Sequence, residues 1–196
     1  MLGALFCVLA FSLPPRAARA ESGDAILAPA AGDYMHFMGA LAVGRGIRFN
    51  NPYRLATPLG DDAESLSLTQ TYLDASLTGT FGNPVGLQHG GSVHMSFALA
   101  GVPQEVATPS YVALLRFPPR LIAYGRFGLP VILEPDPNLG YELGLGGVYL
   151  VTAGIGVTSE LVFDVFYGAA TQDQAITTIP VLSLQIGVAV DYEVLP

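Results

Sequence analysis

Apolar and polar residues alternate without a break over residues 182–194, the last long stretch of the chain. One set of alternating positions is wholly apolar, and the other holds small, polar or acidic residues. Because successive side chains of a strand point to opposite faces, this period of two predicts an amphipathic β-strand. At about 3.3 Å per residue the strand is roughly 40 Å long, which suits a tilted strand that crosses a membrane and overhangs it.

The same alternation recurs upstream, and no amphipathic helix interrupts it. The alternation slips by one residue within the second strand, which predicts a bulge between Gln70 and Tyr72. Pro130 predicts a strand end or a bulge within the fifth. The eight predicted strands cover residues 34–48, 65–81, 88–100, 111–116, 121–133 and 141–152, a seventh strand that includes 161–167, and 182–194.

The connections between these strands alternate between long and short. The long ones are residues 49–64, 101–110, 134–140 and 168–180, and the short ones are 82–86, 117–120 and 153–156. In a sheet of sequential antiparallel strands, all long connections then lie at one end. The sequence therefore predicts an all-β fold, an antiparallel up-and-down transmembrane β-barrel of eight strands, in which closure satisfies every backbone group in lipid.

The composition indicates which face meets lipid. The chain is 51% hydrophobic and 12% charged, with a mean hydropathy of +0.48 and no Lys, whereas soluble domains carry about 25% charged residues. The second face is rich in Gly, Ala, Ser and Thr, which suits the crowded inside of an eight-stranded barrel better than a solvated surface. The alternative, a secreted soluble barrel that binds an apolar ligand, requires the two faces to be inverted.

The N-terminal residues have the pattern of an export signal. An apolar run over residues 2–13 is followed by Ala18-Arg19-Ala20, a small-x-small cleavage site, and about twelve apolar residues are too few to span a bilayer. We expect residues 1–20 to be a cleaved signal peptide, 21–33 a flexible segment and 34–196 the barrel. Cys7 is the only cysteine and lies in the signal, so disulfides and Cys-ligated metals are excluded from the mature chain.

The mature chain is strongly acidic. After removal of Arg16 and Arg19, six Arg oppose sixteen acidic residues, a net charge of 6 − 16 = −10. An acidic chain without Lys does not indicate a nucleic-acid partner.

From about Tyr34 onward the chain resembles the small eight-stranded outer-membrane β-barrel proteins of Gram-negative bacteria. The resemblance implies an outer-membrane location, a periplasmic N-terminus and long loops that face outside. It also implies outer-membrane lipid, lipopolysaccharide and the barrel-assembly machinery as partners. Candidate aromatic residues for the two membrane interfaces are Tyr34, Phe37, Phe81, Tyr111, Phe117, Tyr141, Tyr167 and Tyr192.

With the apolar face outward, nine ionisable residues are expected to project into the lumen. They are Asp74, His94, Arg116, Arg126, Glu142, Glu160, Asp164, Asp191 and Glu193. Because charges away from water must be paired, we expect the acids to bridge Arg116 and Arg126 into a network that fills the interior. The alternative is a narrow, cation-preferring pore lined by the excess carboxylates.

No catalytic, cofactor-binding or metal site is predicted. His89 and His94 have opposite strand parity, so they do not converge on one metal ion. Asp61, Asp62 and Glu64 form an acidic loop, which is hypothesised to bind Ca²⁺ or to bridge lipopolysaccharide through divalent ions. The sequence therefore favours a non-enzymatic outer-membrane barrel with a structural or surface-interaction role.

Overall fold

The computed structural model describes residues 34–49, 66–134, 137–167 and 178–194, which belong to one compact unit. The predicted signal peptide, the flexible segment 21–33 and the acidic loop at 61–64 lie outside these ranges. Within them, no helix is long and apolar enough to cross a membrane. The strands are β1 (Tyr34–Arg48), β2 (Ser67–Leu68), β3 (Tyr72–Gly82), β4 (Leu87–Ala98), β5 (Glu105–Phe117), β6 (Leu121–Gly128), β7 (Val131–Glu134), β8 (Asn138–Thr152), β9 (Ile155–Tyr167) and β10 (Thr178–Val194).

The ten segments form a closed barrel of eight strands. Successive strands of the barrel pair antiparallel, and β10 pairs with β1 to close the sheet. The short β2 continues the line of β3 beside β1, and β7 continues the line of β6 between β5 and β8. The predicted fold, an antiparallel up-and-down barrel of eight strands, is confirmed.

Two predicted irregularities fall where the sequence placed them. Residues 69–71 separate β2 from β3, and Leu129-Pro130 separates β6 from β7. The fourth predicted strand was too short, since β5 begins at Glu105 and not at residue 111. Pro109 is accommodated within β5 because its backbone groups face the interruption between β6 and β7, where its carbonyl accepts the Leu129 N–H at 3.1 Å.

The strand register fixes the tilt of the strands. A path of paired outward residues around the barrel starts at Phe37 and returns to β1 at Ile47, a stagger of 47 − 37 = 10 residues. Ten residues of about 3.3 Å over eight spacings of about 4.7 Å give a tilt of about 40°. The path runs Phe37, Gly79, Gly91, Tyr111, Phe127, Leu143, Phe163, Leu182 and Ile47.

The apolar face of every strand points outward. Large apolar side chains are exposed along the whole outer surface, for example Leu41, Leu145 and Ile186. The inverted, soluble barrel that would bind an apolar ligand inside is therefore wrong for this fold. An exterior of this kind is stable in lipid, and in water it would be an aggregation surface.

Aromatic residues mark the two ends of this apolar surface. Height is measured along the barrel axis, from the short-turn end towards the long connections. At this tilt, each residue along a strand changes the height by about 2.5 Å, and each lateral step along the path from Phe37 to Ile47 adds about 3 Å. Tyr141 and Phe163 then lie about 20 Å above the aromatic residues of the short-turn end, close to the roughly 25 Å of an outer-membrane apolar band. The exposed aromatics of the short-turn end are Phe37, Phe81, Phe117, Tyr149 and Tyr192.

Two predicted interfacial residues are misplaced. Tyr111 is exposed on the outer face but lies three lateral steps, about 9 Å, above Phe37, in the middle of the apolar band. Tyr34 is buried, because it shares the inward parity of His36 and Met38 on β1. Tyr149 and Phe163, which were not among the predicted aromatics, are exposed on the outer face.

The outward orientation of alternate β1 side chains predicts how the loss of stability caused by an introduced charge depends on its position along the strand. Leu41 lies at the middle of the strand and Met35 near the short-turn end, and both side chains point outward. We expect Leu41→Arg to lower the free energy of unfolding by about 2–4 kcal/mol and Met35→Arg by about 0–1 kcal/mol, since an arginine is costly only deep in the bilayer. Urea unfolding in lipid vesicles measures both, and equal effects would contradict the proposed depth of Leu41.

Candidate functional site

The interior of the barrel is arranged in three layers along its axis. A polar and charged layer occupies the half towards the long connections, an apolar layer follows, and a second charged group lies at the short-turn end. The inward positions alternate with the outward ones along each strand, so the sequence period of two selects them. The nine predicted lumen residues all share this inward parity.

The polar and charged layer towards the long connections is the upper layer of the lumen, and Arg126 is its centre. Its side chain on β6 is almost fully buried and contacts the carboxylates of Glu142 on β8 and Glu160 on β9. Tyr124 donates a hydrogen bond of 3.1 Å to the second oxygen of Glu160. One guanidinium therefore holds two acids from neighbouring strands, and hydrogen bonds of this charge-assisted kind are the stronger ones.

A second group in the upper layer contains an acid and a histidine. Asp74 on β3 lies 3.0 Å from Nδ1 of His94 on β4, and the Ser96 hydroxyl donates to its other oxygen at 2.7 Å. Asp164 on β9 points into the same half, and its Oδ1 is buried with no hydrogen-bond partner among the described residues. The interior therefore pairs most of its acids locally and leaves Asp164 without a direct counter-charge.

The apolar layer fills the lumen below these groups. Its side chains are buried and form one hydrophobic cluster inside the barrel. The members are Met38, Val112, Leu114, Ile122, Val148 and Ala189. This layer separates the upper network from the charges of the short-turn end.

Arg116 organises the short-turn end. Its two terminal nitrogens donate to both oxygens of Asp191 at 2.7 and 3.0 Å, and its Nε donates to Gln88 at 3.4 Å. Nε2 of the buried His36 lies 3.7 Å from a carboxylate oxygen of Glu193, which is too long for a hydrogen bond. The Glu193 side chain is half exposed at the rim, so this acid is only partly inside the lumen.

Inward glycines make room for the large interior side chains. A Cβ added at Gly146 would lie 2.5 Å from Cζ and 2.6 Å from the hydroxyl oxygen of Tyr124, and one added at Gly144 would overlap Arg126 and Glu160. Gly144 and Gly146 are thus explained by packing, since the guanidinium and the ring occupy the space where their side chains would be.

Little free space remains in the upper layer. A cavity bounded by Asp74, His94, Tyr124, Glu160 and other inward residues offers about 10 Å³ to water, room for about one molecule. Among the described residues, no group of three or more His, Cys, Asp or Glu side chains could hold a metal ion. The arrangement supports packing and charge pairing rather than the binding of a sizeable ligand.

Several inward residues were not among the nine predicted lumen residues. Gln88, Tyr124 and His36 are inward and buried or half-buried, and Gln185 donates a 3.3 Å hydrogen bond to the hydroxyl of Tyr72. Strand parity alone could have found them. The opposite parity of His89 and His94 places His89 outside, where its ring contacts Tyr111.

No protein-family model matches the chain. No curated protein sequence matches it either. The solved structures that are similar to this chain include three outer-membrane proteins. They are Neisserial surface protein A (12% identity, TM-score 0.48, 80% of this chain and 97% of that one), Ail of Yersinia pestis (9%, 0.47, 79% and 98%) and OprG of Pseudomonas aeruginosa (14%, 0.41, 83% and 96%). All three are eight-stranded outer-membrane β-barrels, the class that the sequence resembles.

The Arg126 group predicts a large effect of a single substitution. Arg126→Met leaves Glu142 and Glu160 buried without their counter-charge, so we expect the free energy of unfolding to fall by about 3–5 kcal/mol. The triple variant Arg126→Met/Glu142→Gln/Glu160→Gln should recover most of that loss. Arg120→Met, at an exposed turn, is the control and should change stability by less than about 0.5 kcal/mol. Urea unfolding curves in vesicles compare the three, and a triple variant no more stable than Arg126→Met would contradict the role of the two acids.

The packing at Gly146 predicts that a single methyl group is not tolerated. Gly146→Ala should destabilise the barrel by about 1–3 kcal/mol, because the new Cβ overlaps the ring of Tyr124. Gly39→Ala is the matched control, since the nearest atom to its added Cβ is 3.9 Å away. The shift of band mobility with temperature on a semi-native gel measures both variants, and equal transition temperatures would count against close packing at Gly146.

Proposed function

We propose that the protein is an outer-membrane β-barrel with a non-enzymatic, structural or surface-interaction role. The observation that carries the proposal is the filled interior: a closed barrel with an apolar exterior encloses ion-paired side chains above and below an apolar layer. A site for chemistry would need an open cleft with activated groups, whereas most of these charged groups are paired with one another and packed inside the barrel. The long connections are then the parts available for contacts with other molecules.

The outer-membrane location is supported by the apolar surface of about 20 Å between the two levels of aromatic residues. The orientation with long loops outside, the contacts with outer-membrane lipid and lipopolysaccharide, and insertion by the barrel-assembly machinery belong to the same proposal. They follow from the class of protein that the sequence resembles.

A narrow cation-preferring pore is the second candidate. The observation in its favour is the charge balance of the inner face, where the acids outnumber the arginines Arg48, Arg116 and Arg126 among the described residues. The acids are Asp74, Glu142, Glu160, Asp164, Asp191 and Glu193. The apolar layer opposes this candidate, because ions do not cross a dry hydrophobic constriction.

Membrane fractionation tests the location. We expect the full chain, expressed with its N-terminal segment in a Gram-negative host, to be recovered in the outer-membrane fraction. On a detergent gel the unheated sample should migrate differently from the boiled one, because folded outer-membrane barrels resist detergent. Recovery in the soluble periplasm would overturn the proposal.

Planar-bilayer recording separates the two candidates. We expect the wild-type protein, folded in vesicles and fused to the bilayer, to give no reproducible single-channel current. A cation-selective current that is lost in Glu142→Gln/Asp164→Asn, with folding confirmed by gel, would establish the pore instead.

A further inference from the structure

Arg45 is the one arginine on the outward face of the described strands. It lies on β1 between the outward side chains of Val43 and Ile47, and it is exposed. Arg48, Arg116 and Arg126 have inward parity, and Arg120 lies in a short turn. A guanidinium on a surface that otherwise suits lipid needs a physical reason.

The depth of Arg45 provides part of that reason. It follows Phe37 by eight residues on a strand tilted by about 40°, so it lies about 20 Å above the aromatic residues of the short-turn end. That height matches Tyr141 and Phe163 at the other interface. Near an interface an arginine costs only about 0–1 kcal/mol, and lipid headgroups come within its reach.

A groove runs beside Arg45 on the outer surface. Its volume is about 300 Å³, and apart from Arg45 its walls are mainly aliphatic. Leu161 and Leu184 line it on the hydrocarbon side of Arg45, about 13 and 16 Å above Phe37 by the same geometry. Ile47, Leu68 and Leu182 line the part level with Arg45 or above it. The groove therefore places a cation at headgroup depth and an apolar channel below it.

The guanidinium is oriented but not neutralised. Its Nε donates to the carbonyl oxygen of Thr69 at 3.2 Å, which leaves the two terminal nitrogens as donors. Within the part of the chain that the structure describes, no carboxylate lies within 4 Å of it. A planar guanidinium with free terminal donors matches the oxygens of a phosphate group.

We propose that Arg45 and this groove bind one phosphate-bearing membrane lipid. The phosphate accepts hydrogen bonds from the terminal nitrogens of Arg45, and one acyl chain lies along Leu184 and Leu161. Charge complementarity selects the anionic headgroup, and the order of charge above and apolar wall below matches the order of headgroup and chain in a leaflet. The inference rests on the proposed membrane location.

Native mass spectrometry of the folded protein released from detergent micelles tests the site. The probe is dimyristoyl phosphatidic acid, added in increasing amounts. We expect one lipid to be retained preferentially by the wild type, and Arg45→Ala to weaken that binding about tenfold, the effect of one lost charge-assisted contact. Arg45→Lys should recover part of it, because lysine keeps the charge and loses the planar fork.

Controls separate the site from general charge and from free phosphate. Arg120→Ala removes an exposed arginine at the other end of the barrel and should leave binding unchanged. Leu184→Ser should weaken binding of the lipid, and millimolar inorganic phosphate should compete poorly, since it has no chain for the groove. Heat-modifiability confirms that every variant is folded.

Three results would overturn the proposal: equal loss in Arg45→Ala and Arg120→Ala, unchanged binding in Arg45→Ala, or no retained lipid in the wild type. Each leaves the membrane location intact, because fractionation tests that location independently.

Discussion

The hydrogen bonds between β1 and β10 join the two ends of the sheet, and the dimensions of the molecule follow from that junction. A membrane-spanning sheet with a free edge would leave backbone groups unpaired in hydrocarbon. Once β1 and β10 pair in the observed register, a stagger of ten residues and a tilt of about 40° are fixed for all eight strands. The width of the lumen, the height of the outer apolar surface and the depth of each side chain are consequences of this one register.

A lumen of this width must be filled by the side chains that point inward. In this barrel the inward side chains that fill it are both charged and apolar. Arg126 compensates Glu142 and Glu160, and Arg116 compensates Asp191. Buried ion pairs gain little over well-packed apolar groups, but they penalise any arrangement that separates them. Together with the close fit of Gly146 against Tyr124, they favour a single packing of the interior.

The period of two predicted much of this architecture, because it is a local property of each strand. It identified the lipid face, the irregularity near Gln70, the interruption at Pro130 and the inward parity of the ionisable residues. It could not say that Arg126 meets Glu142 and Glu160, because that contact depends on the register between strands distant in sequence. The start of β5 at Glu105 was missed because Pro109 read as a connection, whereas the neighbouring strands are interrupted beside it. The groove at Arg45 was equally hidden, since it forms only where β9, β10, β1 and β2 lie side by side.

The apolar layer of Met38, Leu114, Ile122 and their neighbours also divides the lumen into two electrical compartments. The group around Arg126 and Asp74 lies on the side of the long connections, and the group of Arg116, His36 and Asp191 lies on the side of the short turns. A barrel built in this way has two charged interiors, and the apolar layer keeps the electrostatic environment of one apart from that of the other.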